Sequence, residues 1–204
     1  MKTILLAILF AVGSTVFSQQ NYKVNTKLSK VEWEGRKIGG SHEGTIQILS
    51  GDLLMSGNKI NSGLIVIDMK SIEITDIESE SSKQKLMDVF ESENFFNPEE
   101  YPKATLKITG STELSKTEIE ITGTITIKDK SHPIKFRATK VEDENKIVFI
   151  GSFEIDRSDY DVSYGSGFFS GLGDTAIKDL FGLEFKLQRQ LRTKQEQKIK
   201  NIVN

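Results

Sequence analysis

The chain has 204 residues, of which 27 are basic and 29 are acidic, and it contains two histidines and no cysteine. Its formal net charge of −2 excludes a general electrostatic attraction to nucleic acid. The absence of cysteine excludes disulfides and a lipid anchor attached through cysteine, so the folded protein depends on its hydrophobic core alone.

The N-terminal segment has the features of a secretory signal. Lys2 supplies a positive start, residues 4–12 form an apolar run too short to span a bilayer, and Val16 and Ser18 suit a signal peptidase site. These features predict a signal peptide over residues 1–18 and a periplasmic or secreted protein. A buried N-terminal helix is the alternative, and it fits less well because a polar, strand-like sequence follows.

One domain is predicted over residues 19–188, and its sequence is mostly strand-like. Period-two alternation with many β-branched residues recurs between turn residues, which is the pattern of β-strands. The runs cover residues 31–34, 45–49, 64–69, 104–110, 119–127, 134–141, 147–155 and 183–187. About eight strands joined mostly by short turns predict an all-β, antiparallel barrel or sandwich. The barrel is favoured because closure leaves no exposed strand edge.

One short helix is predicted over residues 81–92, where Leu86, Val89 and Phe90 recur at helical spacing behind serines that can cap the helix. We expect it to lie over one end of the barrel. The turn that follows carries two adjacent aromatic residues, Phe95 and Phe96. Two neighbouring rings in a rigid turn are expected not to enter one narrow core together, so one should face a cavity or a neighbouring segment.

Residues that could carry catalysis are few and scattered. A metal site would need both His42 and His132 plus a carboxylate from a distant strand, which the spacing does not favour. Asp156 and the nearby acidic residues could do acid–base chemistry, but an ion pair with Arg157 at the end of a strand is the favoured interpretation. Glycine-rich residues 165–173 lack the lysine of a phosphate-binding loop. We therefore predict no enzyme, no metal and no cofactor.

Aromatic residues in loops and at strand ends are the more informative feature. Such residues build cores poorly and are typical of cavity walls and lids. They are Phe90, Phe95, Phe96, Phe168, Phe169 and Phe181. A barrel of about eight strands can be filled by its own side chains or can hold one slender ligand, and the residues alone leave both possibilities open.

Five segments in this order resemble the YceI-like family of lipid-binding, or polyisoprenoid-binding, proteins, and the resemblance covers about residues 22–187. The segments are SKVEWEGRKIGGSHEGTI, GLIVIDMKSIEITD, SENFFNPEEYPKATLKI, GTITIKDKSHPIKF and FEIDRSDYDVSYGSG. The resemblance implies a lipocalin-like, extended antiparallel β-barrel with a long apolar cavity. It also implies a polyprenyl chain or another long-chain amphiphile as the ligand, bound for sequestration or transport without turnover.

The resemblance also suggests where a lipid would bind. Aromatic and apolar residues would line the tube, and rim groups such as His42 or Arg157 would meet a polar head. The predicted lipid-binding residues are Trp33, His42, Met69, Phe90, Phe95, Phe96, Phe153, Arg157, Phe168 and Phe169. Family members often carry a His-Leu-x-Ser pattern shortly before the Phe-Phe pair, whereas this chain has Val89-Phe90-Glu91-Ser92. That departure predicts a different or less polar head group.

Two other functions remain open at this stage. An enzyme acting on a lipidic or quinone substrate could use His42, Asp156 or Arg157, and a filled barrel could bind a partner through its surface. The helix of residues 81–92 and the loop of residues 165–173 are candidate gates for a ligand. Residues 189–204 form a basic tail that is either a solvated end or a weak contact with anionic head groups. We expect a monomer or homodimer with transient membrane contact and no nucleic-acid partner.

Overall fold

The computed structural model describes residues 19–37, 39–57, 59–143, 146–163 and 177–189. The predicted signal peptide, nearly all of the basic tail and the glycine-rich loop with Phe168 and Phe169 lie outside the described residues. No described helix is long and apolar enough to cross a membrane.

Nine strands, one α-helix and one short 3-10 turn make up the described domain. The strands are β1 (Gln19–Lys23), β2 (Lys30–Lys37), β3 (Gly40–Ser56), β4 (Lys59–Ile74), β5 (Lys103–Glu113), β6 (Glu118–Ile127), β7 (Lys130–Asp143), β8 (Lys146–Asp156) and β9 (Ile177–Gln188). The helix α1 spans Glu80–Glu91, and the 3-10 turn spans Arg157–Tyr160.

The sheet closes on itself. Eight strands pair antiparallel in the order β3-β2-β9-β8-β7-β6-β5-β4, and β4 pairs with β3 to complete the circle. The short strand β1 pairs with the end of β3. This closed barrel confirms the predicted fold, and it leaves no open edge among the eight strands.

The two ends of the barrel differ. The helix end carries α1, the segment 92–102, the β6–β7 turn and the 3-10 turn. At the opposite end, which we call the far end, large side chains fill the interior. The side chains of Leu53, Met55, Ile60, Ile119 and Phe149 are at most 2% exposed there. The interior is therefore solid at the far end, and any space for a ligand has to lie toward the helix end.

Helix α1 begins one residue before the predicted start because Ser79, and not Ser81, is the residue that caps it. The Ser79 side chain accepts a hydrogen bond from the backbone N–H of Ser82. Of the twelve helical residues, only Phe90 is buried. Phe90 is therefore the fully buried anchor of the helix near its C-terminus, and the partly buried Leu86, Met87 and Val89 also pack against the core.

Candidate functional site

An apolar cavity of about 120 Å³ lies inside the barrel toward the helix end. All eight barrel strands contribute to its wall, and Phe96 contributes from the segment after α1. Of the 22 described residues that line it, Thr105 alone is polar. The wall is apolar because successive side chains of a strand point alternately inward and outward, and the inward positions carry the isoleucine, leucine and phenylalanine residues.

The volume limits what the cavity holds in this conformation. A dry apolar cavity of about 150 Å³ accepts a benzene molecule, so 120 Å³ accommodates a hydrocarbon group of roughly isoprene size. A longer chain requires side chains of the wall to move outward or to change rotamer.

Three phenylalanine rings pack together on one side of the wall, where Phe136 stacks on Phe153 and lies edge-on to Phe185. The ring centroids of Phe136 and Phe153 are 4.6 Å apart, and those of Phe136 and Phe185 are 5.5 Å apart. The Phe185 ring lies against the backbone of Gly151, where an added Cβ atom would come within 2.8 Å of the ring. Gly151 therefore lets this ring lie back against the barrel wall and keeps the lumen open.

A second aromatic cluster closes the cavity beneath α1. The centroid of Trp33 lies 5.3 Å from that of Phe90 and 6.2 Å from that of Phe181. Gly44 makes room for the indole, because an added Cβ atom there would lie 2.6 Å from Trp33 Cζ2. The indole Nε1 donates to the carbonyl oxygen of Thr45 at 3.3 Å. Phe90 of the helix thus packs edge-on against Trp33 and covers the wall at this point.

The prediction for the adjacent rings was partly wrong. Both Phe95 and Phe96 are buried, at 4% and 6% exposure, and the two rings pack edge to face with centroids 4.7 Å apart. Phe96 lines the cavity. Phe95 lies behind it, stacked on Phe90 with centroids 5.1 Å apart. One ring therefore does face a cavity, as expected, but the other also enters the core.

Arg157 does not line the cavity; it braces the segments around the helix end. Its side chain is 3% exposed and donates to the carbonyl oxygens of Val162 at 2.7 Å and Lys178 at 3.2 Å. It also donates to Asp179 Oδ1 at 3.3 Å and lies 5.7 Å from the centroid of the Phe95 ring. Burial lowers the pKa of Arg157 below its ordinary value, although the negative charges of Asp179 and Asp156 act to raise it.

The predicted ion pair at the strand end is present, but Arg157 forms it with Asp179 on the neighbouring strand β9 and not with Asp156. Asp156 instead caps the 3-10 turn. Its Oδ1 accepts hydrogen bonds from the backbone N–H of Ser158 at 2.9 Å and from the hydroxyl of Ser158 at 2.6 Å. A carboxylate engaged in this way is a structural cap, and it does not face the cavity.

His42 lies at the rim, between two charged residues. Its Nδ1 is 2.8 Å from Asp76 Oδ2, and its Nε2 is 3.0 Å from Lys37 Nζ. Because an ammonium can only donate, Nε2 accepts from Lys37 and Nδ1–H donates to Asp76. Burial opposes ionisation of Asp76, but hydrogen bonds from His42 and from the backbone of Glu43 hold the pKa of Asp76 below its ordinary value of 3.8.

The lowered pKa leads to a testable prediction for Asp76→Asn. At neutral pH we expect the substitution to lower the free energy of unfolding by about 1 kcal/mol, since a charge-assisted hydrogen bond is lost. A carboxyl group with a depressed pKa stabilises the fold above its unfolded-state pKa, and this stabilisation disappears as pH falls through the folded-state pKa. Urea unfolding at neutral and progressively acidic pH should show the difference from the wild type vanishing in acid.

The matched control is Asp52→Asn, which removes an exposed pair between Asp52 and Lys23. It should change stability little at any pH. A difference for Asp76→Asn that stays constant into acid would contradict the assignment.

The predicted site residues fall into three groups. Trp33, Met69, Phe96 and Phe153 line the cavity. Phe90 and Phe95 form a layer behind the wall. His42 lies at the rim, and Arg157 holds together the segments around the helix end. Phe168 and Phe169 are outside the described residues.

The strand residues that make most of the wall were missed. Phe136 and Phe185 are examples, whereas Phe181 was recognised as an aromatic residue typical of a cavity wall. The available signal was that each lies at an inward position of its strand, but the sequence does not show the height in the barrel at which the interior stays open.

No cluster suited to metal binding is present among the described residues. His132 packs edge-on against Tyr160 with ring centroids 5.0 Å apart, whereas His42 is held by Asp76 and Lys37. The two histidines thus belong to separate local structures.

The closed antiparallel sheet and its apolar interior define a lipocalin-like barrel. A sequence profile of the YceI-like domain matches residues 22–189, and the chain belongs to the YceI-like family. No curated protein matches the chain in a sequence search.

Several solved structures share the fold. The crystal structure of BcnA from Burkholderia cenocepacia is 21% identical, with a TM-score of 0.67 over 82% of this chain and 99% of that chain. A polyisoprenoid binding domain from Saccharophagus degradans, implicated in plant cell wall breakdown, is 15% identical, with a TM-score of 0.64 over 84% and 98% of the two chains. A mutant YceI protein from Campylobacter jejuni is 18% identical, with a TM-score of 0.52 over 94% and 100%.

Proposed function

We propose that the barrel binds a long-chain isoprenoid or another amphiphilic lipid in its interior, and that it sequesters the lipid or carries it across an aqueous compartment. The observation that carries the proposal is the apolar cavity to which all eight barrel strands contribute. The similarity in fold to the polyisoprenoid binding domain of Saccharophagus degradans supports it. The signal-like sequence of residues 1–18 supports a role in the periplasm or outside the cell.

Burial of the hydrocarbon supplies the binding energy. Each CH₂ group moved from water into an apolar site contributes about 0.8 kcal/mol. Because the far end is filled by Met55, Ile60 and Phe149, a tail has to enter from the helix end and point toward the far end. The polar head then remains near the rim. Helix α1, in which Phe90 is the only fully buried residue, is the element best suited to move aside and admit the ligand. We expect any contact of the helix with a membrane during this step to be transient.

Binding without turnover fits the arrangement of the reactive groups. Asp156 caps a turn, Arg157 bonds to backbone carbonyls and Asp179, and His42 is held at the rim. None of the three is among the residues that line the cavity. Each of the three groups is therefore held by partners in the protein, outside the space proposed for the hydrocarbon tail.

Affinity for prenyl alcohols is expected to rise with chain length in the series prenol, geraniol, farnesol and geranylgeraniol. Each added isoprene unit buries further hydrocarbon and should tighten binding by about tenfold or more, until the opened interior is full. Trp33 is the only tryptophan and lines the cavity, so its fluorescence reports the titration. Affinity that stops rising after prenol would mean that the interior does not open beyond its present volume, and it would reject a long-chain ligand.

A further inference from the structure

The rim directly beyond Trp33 is built differently from the cavity wall. In the pairing of β2 with β3, Trp33 lies opposite Gly44, Gly35 opposite His42, and Lys37 opposite Gly40. Residues two apart on a strand face the same side and are about 7 Å apart. Gly35 and His42 therefore lie one step above the apolar wall, on its inward side, and Lys37 reaches the same place through its contact with His42.

Gly35 leaves an open path between the apolar cavity wall at Trp33 and the rim at His42 and Lys37. Among the described residues, the only heavy atom within 4 Å of a Cβ atom added at Gly35 is Trp33 Cζ3, at 4.0 Å. By contrast, an added Cβ at Gly44 or Gly151 would overlap aromatic rings. Gly35 has no positive φ in the backbone, so its lack of a side chain is not required by the backbone conformation. Its effect is the gap that it leaves beside the indole.

Three side chains form a relay beyond the gap. Asp76 Oδ2 accepts from His42 Nδ1–H at 2.8 Å, which leaves Nε2 to accept from Lys37 Nζ at 3.0 Å. Asp76 Oδ1 also accepts from the backbone N–H of Glu43 at 3.2 Å, which fixes the carboxylate. An ammonium has three N–H donors, and the described bond to His42 uses one. The relay thus holds a cation in a fixed place with donors to spare.

We propose that Lys37 binds the anionic head of the ligand, a phosphate ester, and that His42 positions Lys37 for this contact. The tail occupies the cavity, the chain passes Trp33 beside Gly35, and the phosphate meets the ammonium of Lys37. This inference rests on the proposed function and adds the class of head group to it. An ammonium is well suited to a phosphate because the charge-assisted hydrogen bonds formed are stronger than neutral ones.

The test compares two ligands with the same tail. Farnesyl phosphate and farnesol are titrated against the wild type and variants, with Trp33 fluorescence as the readout. The wild type is expected to bind farnesyl phosphate about tenfold more tightly than farnesol. Lys37→Gln should reduce this ratio to about one while leaving the affinity for farnesol unchanged. Lys23→Gln, which removes the same charge from an exposed residue of β1, should keep the ratio.

Three further variants distinguish a positioning role from a general loss of structure. His42→Phe removes the acceptor for Lys37 and should lower the ratio, whereas His42→Gln restores an acceptor and should recover part of it. Gly35→Val narrows the path beside Trp33 and should also lower the ratio. The readout is a ratio of two affinities in the same variant, so a loss of stability alone does not change it. Urea unfolding confirms that each variant is folded.

The outcomes distinguish the two proposals. Binding of both ligands with equal affinity by the wild type would overturn the head-group site and leave the proposed function intact. Binding of neither ligand would overturn both. Inorganic phosphate is the third ligand: if it bound as tightly as farnesyl phosphate and lost binding in Lys37→Gln, the site would be one for free phosphate, and the assignment to a lipid head would be wrong.

Discussion

Substituting phenylalanine for Ala104 is expected to lower the affinity for long-chain lipids at least tenfold while the protein remains folded. Ala104 lies on β5, is 7% exposed and lines the cavity. A phenyl ring at this inward position fills a space of about 120 Å³ that a ligand would otherwise occupy. Excluding as few as two CH₂ groups of the ligand removes about 1.6 kcal/mol of binding energy, which is more than a tenfold loss. Fluorescence titration with farnesol measures the effect.

The control is Thr109→Phe, which places the same ring on the exposed outer side of β5. It should leave lipid affinity within about twofold of the wild type, because a ring outside the barrel occupies none of the cavity. If Ala104→Phe bound farnesol as well as the wild type, the ligand would have to sit elsewhere than in the barrel interior.

Replacing Arg157 with methionine is expected to destabilise the fold by about 3 kcal/mol. Methionine keeps much of the aliphatic volume but leaves the carbonyl oxygens of Val162 and Lys178 without this donor. Removing one partner of a buried, charged network costs about 3–5 kcal/mol. The lower limit applies here because the Asp179 side chain is 40% exposed and water can solvate it. Urea unfolding followed by circular dichroism measures the change.

Arg137→Met serves as the comparison. Arg137 pairs with Glu118 at 3.6 Å, but its side chain is 68% exposed, so the pair should contribute less than about 1 kcal/mol. Equal effects of the two substitutions would show that Arg157 does not brace the helix end as the structure describes.

The barrel could be predicted from the sequence because its main signal is local. Alternation along strands such as residues 119–127 and 147–155 fixes which side chains face inward, and short turns favour antiparallel neighbours. The helix was also predictable from the spacing of Leu86, Val89 and Phe90. The error of one residue at its start arose because several serines competed as caps, and only the backbone path decides among them.

The site could be predicted only in part, because its decisive features join distant residues. Phe95 and Phe96 were recognisable as aromatic loop residues, but their burial depends on contacts with Phe90 and Arg157 that the sequence does not show. The partner of Arg157 is Asp179, 22 positions away, whereas the sequence suggested the adjacent Asp156. Likewise, His42 and Asp76 are separated by 34 positions and meet only because β3 and β4 pair. Local patterns carry no information on such contacts.

The most direct test of a lipid-binding interior is to purify the protein under non-denaturing conditions, extract it with organic solvent and identify the extracted lipid by mass spectrometry. The wild type should release a long-chain lipid in about equimolar amount, and Ala104→Phe purified in parallel should release much less. Wild-type protein that yields no lipid, and that also takes up no polyprenyl lipid when it is offered, would contradict the proposed function.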